Sequence, residues 1–167
     1  MQENKSSGYR ILGIDPGTQV TGIGIIDVIE KGRIQLCIYD AIRTKRTNPL
    51  AVRLKEIFEG IDYFITKYKP DFVAIEDIFY SENIKTAIVM GQARGVSMLA
   101  PVLKNIEIAE YSPREVKLAV VGNGGASKNQ VQFMVKNILK LKEEIHPMDA
   151  ADALAVAICH FHRSKKY

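Results

Sequence analysis

The chain has 167 residues, of which 47% are hydrophobic and 25% charged, which suits an ordinary globular protein with a substantial core and excludes dependence on disulfides or a structural metal. Its formal charge of +4 and pI near 9.0 admit a polyanionic partner without requiring one. No signal peptide, C-x-x-C pair or apolar run near the roughly 20 residues that span a bilayer is apparent, so the expectation is a cytoplasmic protein with no membrane role and with reduced core cysteines at Cys37 and Cys159.

The first eight residues are polar and are expected to fray. A buried strand is predicted from Arg10 to Asp15, and Pro16-Gly17 stops it in a tight turn that leaves Asp15 at its end. Residues Gly22 to Ile29 form a second apolar strand, and after the turn at Glu30-Lys31-Gly32 the alternation of Ile34, Leu36 and Ile38 marks a third, to about Arg43. These three read as an antiparallel meander. Gly22 and Gly24 weaken a strand and mark a place where another backbone or a ligand comes close.

Asn48-Pro49 opens a helix whose face Leu50, Leu54, Ile57, Ile61, Phe64 or Ile65, and Tyr68 is apolar for about five turns. Pro70-Asp71 ends it. Phe72 to Ile75 is a short apolar run, as in a strand covered on both sides, and Glu76 closes it. Residues Asn83 to Leu103 are helical but hold Gly91 and Gly95, which each cost about 1 kcal/mol relative to alanine. Close packing on the sheet or a helix contact across a dimer would offset that cost. A short strand at Glu107 to Glu110 follows, then a helix begun by Ser112-Pro113 with Glu115 in a capping box. After the Gly-rich loop 121–127, Ser127 caps a helix to about Lys140, and Pro147 introduces the last, to about Arg163. The order β-β-β-α-β-α-β-α-α-α predicts an α/β protein with a mixed five-stranded sheet flanked by helices on both faces.

The chemistry lies in four carboxylates: Asp15 and Glu76 at strand ends, and Asp149 and Asp152, one turn apart on the last helix. Close together they repel, unless the helix dipole and bound cations offset their charge. Singly, Asp15 has a structural explanation as a turn cap, and Asp149 with Asp152 as an ordinary acidic helix start capped by Asp149. Jointly, without a His/Cys cluster, they select hard cations, Mg²⁺ or Mn²⁺, over zinc. Two such ions about 4 Å apart suit phosphodiester cleavage, activating a water and stabilising the leaving 3′-oxygen.

The segments Gly13-Ile14-Asp15-Pro16-Gly17-Thr18, Ala74-Ile75-Glu76-Asp77-Ile78-Phe79, Gly91-Gln92-Ala93-Arg94-Gly95, Val116-Lys117, Val120-Val121-Gly122, Lys128-Asn129-Gln130-Val131-Gln132 and Asp149-Ala150-Ala151-Asp152-Ala153-Leu154-Ala155 follow the order and approximate spacing of the RuvC Holliday-junction resolvase family. The chain resembles that family over essentially its whole length after Arg10. The resemblance implies a ribonuclease H-like fold, one nuclease domain over residues 1–167, and a homodimer. It also implies paired Mg²⁺-dependent nicks across a four-way DNA junction during recombination and repair. Asp15, Glu76, Asp149 and Asp152 match the family's catalytic and metal-binding carboxylates, Phe79 its junction-wedging aromatic, and Lys117 and Lys128 its basic residues near the scissile strand. A RuvA-RuvB branch-migration complex is the further partner implied.

One departure stands out: Glu82 occupies the position, three after Phe79, where the family often has a basic residue. From the residues alone, Phe79 also fits a core aromatic, Lys117 and Lys128 solvated helix surface, and His146 either a proton-transfer group or an exposed surface histidine. His160 and His162 read as helix-end structure. Two other activities share these features. A binding protein that has lost the chemistry would not need four intact carboxylates, and a ribonuclease on RNA-DNA hybrids would not need the Phe79 loop or two active sites in one particle.

Overall fold

The alternation of side chains along two central strands decides where everything else goes. The computed structural model describes residues 8–29, 32–77 and 83–164. Its elements are β1 (Tyr9–Asp15), β2 (Val20–Ile29), β3 (Arg33–Arg43), α1 (Leu50–Tyr68), β4 (Phe72–Glu76), α2 (Ile84–Leu103), β5 (Glu107–Tyr111), α3 (Pro113–Val121), α4 (Lys128–Ile138) and α5 (Met148–Arg163). The strands form one sheet in the order β3-β2-β1-β4-β5. β1, β2 and β3 are the expected antiparallel meander, whereas β4 and β5 run parallel to β1. Parallel neighbours need long crossovers, which α1 and α2 supply.

On β1, Ile11 belongs to a core under α3, α4 and α5, whereas Leu12 and Ile14 belong to a second core under α1 and α2. β4 divides in the same way, Ala74 toward α5 and Val73 and Ile75 toward α1 and α2. With a period of two, Asp15 and Glu76 fall on the α5 face of adjacent strands.

That face is floored with small residues. Gly24, Gly13, Ala74 and Ala109 stand side by side across four strands. A Cβ on Gly13 would lie 2.0 Å from the Ala153 carbonyl oxygen, one on Gly22 2.0 Å from that of Asp149, and one on Gly24 2.6 Å from the Leu154 nitrogen. The backbone approach expected at Gly22 and Gly24 is therefore that of α5, which is buried almost throughout from Ala150 to His160. Its alanines permit the same closeness from the other side.

Several expectations need correction. Gly91 and Gly95 do not pack on the sheet, since a Cβ at either would meet nothing within 4 Å. The helix around them, α2, is 20 residues long and by length and composition alone could cross a membrane, contrary to the sequence expectation of no such run. Its apolar residues are divided between a buried flank (Ala93, Ala100, Pro101) and an exposed stripe, which explains its hydropathy without a bilayer. Cys159 is in the core, but Cys37, on edge strand β3, is only half-buried. Helix α4 ends at Ile138 rather than Lys140 because Lys140 turns to a left-handed φ of 54°. Residues 1–7, Phe79 and Glu82 lie outside the described residues.

Candidate active site

Asp15 stands at the mouth of β1, opposite Gly22, and the turn after it is tied down locally. Fully buried Thr21 donates its hydroxyl to the Gly17 carbonyl at 2.7 Å, and Thr44 donates its own to the Thr18 carbonyl at 2.6 Å. Glu76 ends the neighbouring strand. Arg94 of α2 braces that end, its Nε donating to the Glu76 carbonyl at 3.4 Å while its guanidinium pairs with Asp77 and Glu110. Asp149 and Asp152 lie in the first two turns of α5, above the sheet face that Asp15 and Glu76 share.

The four carboxylates act on one another. Burial, then the charges of Glu76, Asp152 and Asp149, push the Asp15 carboxyl up to about 8. Burial, then Asp152, push Glu76 up to about 7. Asp152 is raised as well, by burial first, with Asp149 adding to the effect and Lys128 opposing it. The sequence favours Asp149 over Asp152 as the direct metal ligand; in the fold it is Asp152 whose charge is felt at both Asp15 and Glu76.

The basic residues frame this acidic centre. Lys128 Nζ lies 2.6 Å from Asp152 Oδ2, with the lysine half-exposed and the aspartate 19% exposed. Lys117 of α3 and Lys128 of α4 line one cavity of about 220 Å³ with Glu76 and Asp152, floored by Val116, Val131 and Ala155. Both lysines pull the Glu76 carboxyl toward its charged form. Lys128 is raised above its ordinary value, chiefly by its hydrogen bond to Asp152.

Three residues escape the sequence reading. Gln132 follows Lys128 by one helical turn, and its side chain favours the charged form of Asp152, although its buried Nε2 makes no hydrogen bond of standard length. The i, i+4 spacing of Lys128 and Gln132 was the available signal. Arg94 and Thr44 act on backbone carbonyls far away in sequence, and no local pattern announces them. His146 is exposed, while His160 hydrogen-bonds Tyr111 Oη at 2.9 Å and His162 Nδ1 lies 2.8 Å from the Ala119 carbonyl, both as helix-end structure.

Among the described residues no three acidic, histidine or cysteine side chains converge into a ready-made coordination sphere. The donor set nevertheless fits a hard cation: all four groups offer oxygen, and a divalent ion would offset both the burial and the mutual repulsion that raise Asp15 and Glu76.

Comparison with known proteins gives consistent results. The model of the family described as crossover junction endodeoxyribonuclease RuvC matches residues 11–160. The chain is 49% identical over 150 residues to the crossover junction endodeoxyribonuclease RuvC of Desulforamulus reducens, covering 90% of this chain and 91% of that one. It is 51% identical over 152 residues to the protein of that name from Alkaliphilus oremlandii, covering 91% and 92%. Among solved structures, Thermus thermophilus RuvC in complex with Holliday junction substrate superimposes with a TM-score of 0.85 at 32% identity, covering 91% of this chain and 92% of that one.

Proposed function

The chain belongs to the RuvC family of crossover junction endodeoxyribonucleases, and from that premise we propose that Asp15, Glu76, Asp149 and Asp152 form its nuclease centre. The protein is a structure-selective endodeoxyribonuclease that resolves four-way DNA junctions, and its chemistry depends on a divalent metal. We assign Mg²⁺, with Mn²⁺ as substitute, and two ions per site, on the basis of the all-oxygen donor set. The observation that carries the assignment is that Asp15 and Glu76 end adjacent strands on the face that α5 covers, with Glu76 and Asp152 lining one cavity beside Lys117 and Lys128.

When bound, divalent ions supply the polarisation of water and phosphate that hydrolysis of a phosphodiester needs. The residues supply the rest. The carboxylates hold their oxygens at the rim of the sheet, where a DNA strand can reach them. Lys117 and Lys128 border the same cavity and neutralise the phosphate that enters it. Lys128 and Asp152 pair with each other in this structure, and with Asp152 holding a cation Lys128 would be available to a phosphate. Phe79 is assigned to the junction centre as an unstacking wedge by the resemblance of its motif.

We also propose that the protein is a homodimer of single-domain protomers, because paired nicks across a two-fold junction need two sites at a fixed separation. Ile84, Ile88, Gly91, Gly95, Leu99 and Val102 recur at spacings of three and four along α2, the large ones 48–75% exposed, and this stripe is the assigned contact. A cytoplasmic setting and a RuvA-RuvB type complex as cellular partner complete the reading.

The test incubates the protein with a synthetic four-way junction, linear duplex and RNA-DNA hybrid, each in Mg²⁺ or EDTA, with light scattering alongside. Paired nicks in the junction alone, abolished by EDTA, from a dimeric particle are expected. Preferential cleavage of the hybrid would replace this reading with that of a ribonuclease, and a fully active monomer would remove the dimer.

A further inference from the structure

Three cations stand within four residues at the end of β3, in Arg43-Thr44-Lys45-Arg46, and nothing described so far uses them. A basic run is most often solvated surface, so its placement decides. β3 runs in the same direction as β1, because both are antiparallel to β2, and Asp15, Gly22 and Ala41 stand in one row across the sheet. Arg43, opposite Val20, therefore begins just beyond the level of Asp15, at the same end of the sheet, two strands or roughly 10 Å away.

The run is also fastened to the turn that follows Asp15. Thr44 N–H donates to the Gln19 carbonyl at 3.0 Å and its hydroxyl to the Thr18 carbonyl at 2.6 Å, and Arg53 Nη1 donates to the same Thr18 oxygen at 3.4 Å. The side chains on either side of Thr44 are left outward: Arg43, Lys45 and Arg46 are all exposed, and none forms an ion pair among the described residues. The acidic groups nearby in the chain are engaged elsewhere. Asp40 accepts from the Ala41 N–H at 2.7 Å and Glu56 from Asn48 at 3.1 Å.

Resting on the nuclease reading above, we propose that Arg43, Lys45 and Arg46 form a phosphate-contact rail that holds a duplex arm of the DNA on the side of the active site opposite Lys117 and Lys128. The strand order puts β3 at one edge of the sheet and β5, which leads into α3 and Lys117, at the other, with Asp15 and Glu76 between them. DNA crossing the carboxylates thus meets positive charge on both flanks. The rail contacts phosphate and not base edges, so it contributes affinity and salt dependence without sequence preference.

The test measures binding by fluorescence anisotropy in Ca²⁺, over a series of salt concentrations, for labelled four-way junction and linear duplex side by side. The variants are R43Q/K45Q/R46Q and the charge-keeping R43K/R46K. For the glutamine variant the slope of log K against log salt should fall by about 2 to 3, and junction affinity at ~0.1 M salt should fall at least about tenfold. The lysine variant should stay near wild type. If the triple variant does not fold, K45Q and R46Q singly should each lower the slope by about 0.9. A slope unchanged in the glutamine variants, with junction preference intact, overturns the rail alone. A wild-type protein that binds duplex as tightly as junction overturns the functional reading and the rail with it.

Discussion

Strand β1 carries a charged residue near each end, and the two meet opposite surroundings. At its start Arg10 is fully answered: Nε donates to Asp27 Oδ1 at 2.6 Å, Nη1 to the Tyr68 carbonyl at 2.5 Å, and its backbone N–H to Asp71 Oδ2 at 2.7 Å. Its guanidinium is held above the ordinary value, first by Asp27. At the other end Asp15 is half-buried among three carboxylates, and the lysine that opposes them is tied to Asp152. One end is what stability selects. The other is a charge arrangement that opposes folding while its carboxylates are ionised and no cation joins them, as expected where chemistry has set the sequence.

The sharpest way to test this contrast is to remove charge at the crowded end. Asp15→Asn, Glu76→Gln and Asp149→Asn are each expected to slow junction nicking at least about a thousandfold, the several kcal/mol that a misplaced metal centre costs. Junction affinity in Ca²⁺ should hold or rise, because each change lessens repulsion of the phosphates. Asp152→Asn should impair cleavage as well, given its influence at both Asp15 and Glu76. Single-turnover cleavage and gel shifts on the same proteins check this, and near-normal nicking by any one of the first three removes that residue from the metal site.

Gly22→Ala attacks the same end through the backbone. Its Cβ would lie 2.0 Å from the Asp149 carbonyl oxygen, so the first turn of α5 has to move. A loss of about 1–3 kcal/mol is expected, with cleavage lost beyond what instability explains. Thermal melts paired with nicking assays well below the melting temperature separate the two effects.

The pH dependence follows from the direction of the shifts. Asp15 rises from 3.8 to about 8 on folding and Glu76 from 4.5 to about 7, so the folded state binds these protons more tightly than the unfolded state. Their favourable contribution is complete below about pH 4 and is lost as pH rises toward 7 and 8. Metal-free protein should therefore melt several degrees lower at pH 8.5 than at pH 5.5, on the order of 5 °C, and Mg²⁺ should stabilise it more at the higher pH. Asp15→Asn should flatten the profile and raise the melting temperature at pH 8.5. A steep profile in that mutant would show that the charge conflict lies elsewhere.

The smallest effect is expected at the satisfied end. Arg10→Gln, at a pair that is 31% and 20% exposed, should cost about 1–2 kcal/mol and leave the slope of stability against pH from 5.5 to 8.5 unchanged. Denaturant melts at those two pH values suffice. If Arg10→Gln changed that slope, the two ends would be electrostatically coupled and the comparison would fail.

Much of the fold is legible locally because its signals are local. Pro16-Gly17 ends a strand, Ser112 and Ser127 cap helices in capping boxes, and the spacing of Ile57, Ile61, Phe64 and Ile65 turns one face of α1 inward. The shortfalls have equally physical causes. Gly91 and Gly95 give the same local signal whether a helix packs on a sheet or faces outward, and the open space beside them is a tertiary fact. Cys37 looks apolar in sequence, but its exposure depends on β3 being an edge strand.

The sequence by itself determined the elements, the positions of Asp15 and Glu76 at strand ends, and the helical spacing that pairs Asp149 with Asp152. Those depend on turn chemistry and on periods of two and 3.6, which each segment carries alone. The tertiary structure decided that Asp15 and Glu76 share the face that α5 covers, through the row Gly24, Gly13, Ala74 and Ala109 on which it rests. It also decided that Lys128 answers Asp152, that Arg94 braces the strand end at Glu76, and that Arg43, Lys45 and Arg46 stand level with the site. Each of these joins residues distant in the chain, and strand order and register, not local preference, determine which charges meet.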